Sequence, residues 1–250
     1  MPVKRDLWKE ALTQTYTPAW HCPACSGGYL KLHKKSFASE DTAVSLRIRN
    51  EDDWDPEWLS FRFTAILICN NDSCKESVVL AGNGRVETMQ AEEDVQYQEY
   101  FYPEYVNPSP RIITLGDDYP ELVIEELRKS FAASWGDYSS AITHIRAAVE
   151  RLLDFLKEPK KRLTKKGYQR ISLHERIKGL ANRDPELSKL LLAVKWLGNI
   201  GSHSAEITRD DVFDAYDILD LVLDDLFVKN RKRVNKLVNT INKKKGPVKK

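Results

Sequence analysis

Four cysteines constrain this chain more than any other residues. They fall as two close pairs, Cys22-Pro-Ala-Cys25 and Cys69-Asn-Asn-Asp-Ser-Cys74, with 43 residues between them. A C-x2-C turn lets both thiolates face one ion, and Gly27 and Gly28 allow the tight turn that follows. The second pair sits between two β-rich runs, where a hairpin tip forms. Two such knuckles closing one tetrahedral site describe a zinc ribbon. The spacing is on the loose side of that pattern. His21 and His33 could each replace a thiolate, and four unbound buried cysteines are the plain alternative. With Cys22, Cys25, Cys69 and Cys74 all bound to one Zn2+ per chain, no coordination position stays open. The expected ion is therefore structural and not catalytic, and a sheet this small needs such a staple.

The rest of the composition narrows the class. The chain has 250 residues, 42% hydrophobic and 30% charged, enough for one large domain or two small ones with real cores. A mean hydropathy of −0.50 and the lack of a long uncharged apolar run exclude a transmembrane helix. The start, MPVKRDLWKEALTQ, has no apolar h-region, so a cytoplasmic location with reduced thiols is expected, and no membrane partner. The net charge of +2 hides an asymmetry: residues 229–250 hold ten Lys or Arg and no acid. Removing those ten from the 39 bases leaves 29 against 37 acids, a net of −8, before residue 229. A basic end on an acidic body suits phosphate contact, since each neutralised phosphate releases counterions. Lys229, Arg231, Lys232, Arg233 and Lys236 are the candidate contacts, and a solvated tail is the alternative.

Periodicity divides the chain into an α+β arrangement. Residues 1–95 read as an N-terminal arm and a β-rich ribbon domain. AVSLRIRN alternates Val44, Leu46 and Ile48 against Ser45, Arg47 and Arg49, the period of a half-buried strand. FRFTAILIC and SVVLAG are further β runs, and AGNGRVE reads as a tight hairpin turn at Asn83–Gly84. EDDWDPEWLS reads as an acidic loop whose Trp54 and Trp58 fold back onto the sheet. Residues 96–118, rich in proline and aromatics, read as a linker packed along a surface. From residue 119 the spacing turns helical, and residues 119–228 predict an antiparallel bundle. Leu122, Leu127 and Phe131 mark its first helix. Asp137 caps a second, with Ile142, Ile145, Val149, Leu152 and Leu153 on one stripe before Pro159. KEPKKRLTKKGYQR reads as a basic loop. Ser172 with Glu175 forms a capping box, Asp184–Pro185 opens a helix that GNIG breaks, and Thr208 with Asp211 boxes a last one. The aspartates of that last helix (Asp210, Asp214, Asp217, Asp224) read as a solvated face, and residues 229–250 as a basic extension.

The helix from Asp137 through His144, Arg146 and Glu150, with the turn Leu197-Gly198-Asn199-Ile-Gly201-Ser-His203, resembles the HEPN-like helical domains. These are often found beside restriction and phage-defence proteins, and a preceding zinc ribbon is a familiar pairing. The resemblance covers somewhat under half of the chain. It implies a homodimer formed through the helices, and a nucleic-acid- or partner-binding accessory protein of a prokaryotic defence system, with RNA, DNA or a defence protein as partner. In active members an Arg before a polar residue and a nearby His cleave RNA without metal. A histidine can move the ribose 2′-hydroxyl proton while a cation offsets charge developing on phosphate. The corresponding set here is His203 and Asn199, with Arg146 as the cation. Gly198 stands where the arginine would precede Asn199, which counts against the ribonuclease alternative. A plain account of the same residues is also open: Gly198 and Gly201 end a helix, His203 fixes the turn, and Arg146 pairs with Glu150 one turn on.

Overall fold

The computed structural model describes residues 3–25, 27–90, 95–200, 206–227 and 229–246, without the side chains of residues 90, 199–200 and 229–236. A short helix, α1 (Arg5–Lys9), precedes a curled antiparallel sheet built from β1 (Leu30–Leu32), β2 (Ala38–Asp41), β3 (Ser60–Cys69), β4 (Ser77–Gln90) and β5 (Val95–Asn107). The strands lie in the order β1-β3-β4-β5, with β2 paired to β3 on the same side as β1. Along β3 the period of two is clean. Phe61, Phe63, Ala65, Leu67 and Cys69 are buried while the residues between them are not.

Three β-section expectations are corrected by the structure. Residues Ala43–Ile48 form a helix, α2, not a strand. Thr42 caps it by accepting the Ser45 N–H at 3.2 Å, and the residue α2 buries is Ser45, whose hydroxyl donates to the Ser60 carbonyl at 2.8 Å. Val44 and Leu46, which carried the alternation, are 51% and 56% exposed. AGNGRVE is no turn, because β4 runs straight through it. Its glycines serve close approach: a Cβ at Gly82 would lie 2.1 Å from the Tyr102 carbonyl oxygen, and one at Gly84 would lie 2.7 Å from the Phe101 ring. The segment 96–118 is not a linker over its first half, since β5 continues to Asn107. Its proline is tolerated because β5 is an edge strand. Pro103 also sits at a bulge, where the pairing jumps from Ala81↔Tyr105 to Gly82↔Pro103. Skipping Glu104 flips the parity, so Phe101 and Val106 both face the core. Of the two loop tryptophans, Trp54 packs against the core and Trp58 is 55% exposed.

The helical half is α3 (Glu121–Ala133), α4 (Tyr138–Phe155), α5 (Leu173–Leu180), α6 (Pro185–Ile200), α7 (Arg209–Phe227) and α8 (Lys229–Lys244). A two-stranded hairpin, β6 (Lys161–Thr164) and β7 (Gly167–Arg170), stands between α4 and α5 where a basic loop was expected. The local signals held. Asp137 accepts the Ser140 N–H at 2.8 Å, Ser172 and Glu175 form the reciprocal box, and Thr208 and Asp211 bond each other's backbone N–H. α6 continues through Gly198-Asn199 to Ile200, and Gly201, the last residue of the expected GNIG break, lies outside the described residues. The buried stripe of α4 (Ile142, Ile145, Val149, Leu152, Leu153) meets α3, α6 and α7. At the centre the Tyr216 hydroxyl lies 2.6 Å from Ser130 Oγ and 2.9 Å from Ser134 Oγ.

The residues of the expected ribbon and of the expected bundle contribute to one buried core. Trp135, after α3, receives Trp8 and Trp20 edge-on at ring separations of 5.3 and 5.0 Å. Its indole N–H donates to Ser109 Oγ at 2.9 Å, and that of Trp20 to the Leu7 carbonyl at 3.0 Å. The arm is also tied down by charge. Arg5 bonds Asp214 and, at 3.1 Å, Asp217, and Arg209 donates to the Trp8 carbonyl at 2.8 Å. The α7 aspartates are thus not a free solvated face: Asp210 pairs with Arg5 and Lys9, and Asp224 accepts from the Tyr119 hydroxyl. Because Trp135 is the hub of three rings, Trp135→Ala is expected to cost about 3–5 kcal/mol. It should lower the urea midpoints read by sheet and helix probes together; a drop confined to one of them would show two separate cores.

Candidate metal centre

The four cysteines converge. The Sγ atoms of Cys22, Cys25, Cys69 and Cys74 all lie within 4.8 Å of one another, and none is in a disulfide. Two contacts cross between the knuckles, Cys22 to Cys74 and Cys25 to Cys69, each at 3.7 Å. Four thiolates around a metal with bonds of about 2.3 Å in a tetrahedron sit about 3.8 Å apart, so the spacing suits a single ion.

The backbone explains the convergence. The Cys22 N–H donates to the Gly28 carbonyl at 2.9 Å, folding the first knuckle back on itself. β3 ends at Cys69, which faces Leu30 of β1, so the second knuckle begins opposite the end of the first. In each knuckle the N–H two residues on donates to the leading sulfur, Ala24 to Cys22 and Asn71 to Cys69, both at 3.4 Å. The two asparagines after Cys69 join the loops: Asn70 Oδ1 accepts the Tyr29 N–H at 2.8 Å, and Asn71 Nδ2 donates to Cys25 Sγ at 3.7 Å. Lys75 closes the second knuckle at φ 52°. Gly28 matters for space: a Cβ there would stand 2.2 Å from Cys69 Sγ and 3.0 Å from Cys25 Sγ, whereas Gly27 has open space.

Burial raises the Cys22 and Cys69 thiols. At Cys25 burial is outweighed by the Gly27 N–H and the neighbouring sulfurs, which bring it down to about 7. A bound cation would hold all four as thiolates. His21 and His33 are not in the cluster: His21 stacks on Tyr29 at 4.6 Å. The donor set is therefore four soft sulfurs with no open side, compatible with a metal ion and unsuited to activating water.

The other expected residues are only partly brought together. Arg146 lies on α4 with its aliphatic stem over Gly198 of α6, and its Nη1 donates to the Gly198 carbonyl at 3.0 Å. Arg146 does not pair with Glu150, which meets Arg170 of β7 instead at 3.7 Å. Asn199 is on α6, but its side chain, all of His203, and the side chains of Lys229, Arg231, Lys232, Arg233 and Lys236 on α8 fall outside the described residues. His144 bonds the buried Glu126 at 2.8 Å. A further neighbour of Arg146 is Lys195. Burial, and then the Arg146 charge, push the Lys195 ammonium below its usual range. Its Nζ sits 3.6 Å from the Trp196 ring centroid. Helical spacing places Lys195 one turn before Asn199, but only the packing of α4 on α6 puts Arg146 beside it. No helix among the described residues is long and apolar enough to cross a membrane.

Residues 10–106 match a family described as a domain of unknown function (DUF8608), and residues 126–244 match another, DUF4145, also described as a domain of unknown function. The first ends within β5 and contains all four cysteines; the second runs from α3 to the last residue of α8. No curated protein and no solved structure matches the chain.

Metal removal should unfold the knuckles. Cys22→Ser is expected to abolish stoichiometric metal in plasma emission spectrometry and to lower the melting temperature by several degrees or more. Gly28→Ala should do nearly the same without touching a ligand, because its methyl meets Cys69 Sγ; full metal content in that variant would refute the steric role.

Proposed function

We propose that this chain is a nucleic-acid-binding accessory module of HEPN-like type, working beside prokaryotic defence proteins and held in shape by one structural Zn2+ on the four cysteines. The observation that carries this reading is a pair of neighbouring cations. Arg146 donates to Gly198 of α6, and Lys195 Nζ lies over the Trp196 ring at 3.6 Å. Burial and then the Arg146 charge lower the Lys195 ammonium, and among the described residues no carboxylate pairs with either cation. Two like charges held together without a counter-ion favour an anion between them, and a phosphate diester is the anion a basic, aromatic-flanked surface takes best. Exposed Trp196, 54% accessible, adds a ring beside them. Dimerisation through the helices and a phosphate role for the basic residues of α8 belong to the same reading. Four soft thiolates close enough to surround one ion support zinc as the metal.

The ribonuclease alternative gains one specific support. Arg146 crosses to α6 at Gly198, the residue before Asn199, so a cation does stand where the chain lacks the family's arginine. In that reading Arg146 offsets charge on phosphate and His203 moves the proton. Incubation with total RNA in EDTA, beside His203→Ala, decides it: cleavage lost in the variant supports catalysis, and no cleavage by either protein leaves binding alone.

For binding, anisotropy titrations against labelled RNA and DNA across a salt series are the direct check. Lys195→Ala is expected to weaken affinity and flatten the dependence of log K on log salt by about 0.7–0.9. Arg146→Met, which keeps the stem over Gly198, should do likewise. Salt slopes unchanged in both variants would overturn the reading.

A further inference from the structure

The β6–β7 hairpin is a feature the fold does not need. Strands, turn and the residue before them carry six Lys or Arg and no acid from Lys160 to Arg170. A two-stranded ribbon alone is marginal in water, yet this one is fastened at its root by three ion pairs. Lys160 meets Asp154 at 2.7 Å, Arg170 meets Glu150 at 3.7 Å, and Arg162 meets Glu175 at 3.0 Å. Those contacts use the cations nearest the bundle. Lys161, Lys165 and Lys166 are exposed and, among the described residues, meet no carboxylate. The register sets Leu163 opposite Tyr168 and Lys161 opposite Arg170, so these four side chains share one face. Leu163 is 73% and Tyr168 77% exposed, an unusual state for a cross-strand apolar pair. At the tip, Gly167 at φ 102° closes the turn that presents Lys165 and Lys166 side by side.

From these observations we infer that the β6–β7 hairpin is a single-strand binding element, in which an unpaired RNA or DNA base stacks on Tyr168 while Lys161, Lys165 and Lys166 hold the flanking phosphates. An aromatic face between cations is the arrangement that grips unpaired nucleotides without sequence choice, and a duplex hides the π-faces it needs. An acidic peptide would also meet the lysines but would gain nothing from the ring. The inference rests on the nucleic-acid reading above and extends its surface. Glu150, which holds Arg170, is one turn along α4 from Arg146. His174, four residues after Arg170, lies against Trp196 at 5.6 Å. The root of the hairpin is thus in contact with α4 through Glu150, and α5 after it is in contact with α6 through Trp196.

The test uses the full chain and fluorescein-labelled single strands of about 20 nucleotides, RNA and DNA, in anisotropy titrations over a salt series, with the matched duplex and a poly-glutamate peptide as competitors. Tyr168→Ala is expected to weaken single-strand binding about 5- to 100-fold at every salt concentration with the slope unchanged, and Tyr168→Phe to restore it. The triple variant Lys161→Ala, Lys165→Ala, Lys166→Ala should lower the salt slope by about 2. All these side chains are solvent-facing, so melting curves should match wild type. If wild type binds and Lys195→Ala weakens it while the hairpin variants bind normally, the hairpin inference is overturned and the broader reading stands. If wild type binds neither nucleic acid, both fail. Competition by poly-glutamate at matched charge equal to that by unlabelled strand, with Tyr168→Ala harmless, assigns the hairpin to protein and overturns the inference. RNA bound more tightly than DNA, with Tyr168→Ala weakening both, would support the element and add a 2′-hydroxyl contact.

Discussion

The convergence of four sulfurs at the end of β3 is the constraint from which the rest of the amino-terminal half follows. From Leu12 to Tyr29 the described backbone forms no strand: Leu12 bridges to Phe101 of β5, His21 bridges to Tyr29 within the segment, and the Trp20 carbonyl accepts the Leu30 N–H of β1 at 2.9 Å. Such a segment loses about 1–2 kcal/mol of backbone entropy per ordered residue and offers few ladder bonds in return. The Cys22–Cys25 knuckle lies within it, and fixing that knuckle against Cys69 and Cys74 fixes Trp20 two residues earlier. A metal ion held by the four thiolates would add its binding free energy at this point and offset part of that ordering cost.

Through Trp20 the effect reaches the helices. Trp20 and Trp8 pack edge-on against Trp135, and Arg5 and Arg209 stitch the same arm to α7. The cysteine knuckle and the bundle are thus joined by direct contact, although the two matched families divide the chain between them near this junction. Two units that bury a common aromatic cluster unfold as one when the cluster is worth more than either half alone.

Much of the helical half was legible because its signals are local. A cap such as Asp137, or the Ser172–Glu175 box, acts within four residues, and the apolar stripe of α4 repeats at a fixed period whatever it packs against. The cysteine quartet was legible for a different reason: soft ligands in close pairs have few other uses. The misreadings share one cause, contacts made across long separations. Residues 43–50 alternate like a strand, but Ser60 pulls Ser45 inward and sends Val44 and Leu46 outward. The prolines of 96–118 argued against a ladder, yet Pro103 sits on an edge at a bulge and costs it little. The β6–β7 hairpin was hidden because both of its faces are polar or exposed, leaving no burial pattern to read.

Gly198 and Arg146 show how far one such contact changes a functional reading. Taken alone, a glycine in place of an arginine reads as a lost charge. In the folded chain a Cβ at 198 would stand 2.3 Å from Arg146 Cδ, so any side chain there excludes Arg146 from its present path. The two positions are alternatives for supplying one cation: either residue 198 bears it, or residue 198 is bare and α4 delivers it. Arg146 also does something a residue at 198 could not do for itself, since its guanidinium donates to the Gly198 carbonyl and ties α4 to α6. A cation at a helix C-terminus is favoured by the helix dipole, which draws Arg146 toward the carbonyl ends. One guanidinium donor is thus spent on Gly198, and that contact fixes where the Arg146 charge lies on α6 beside Lys195.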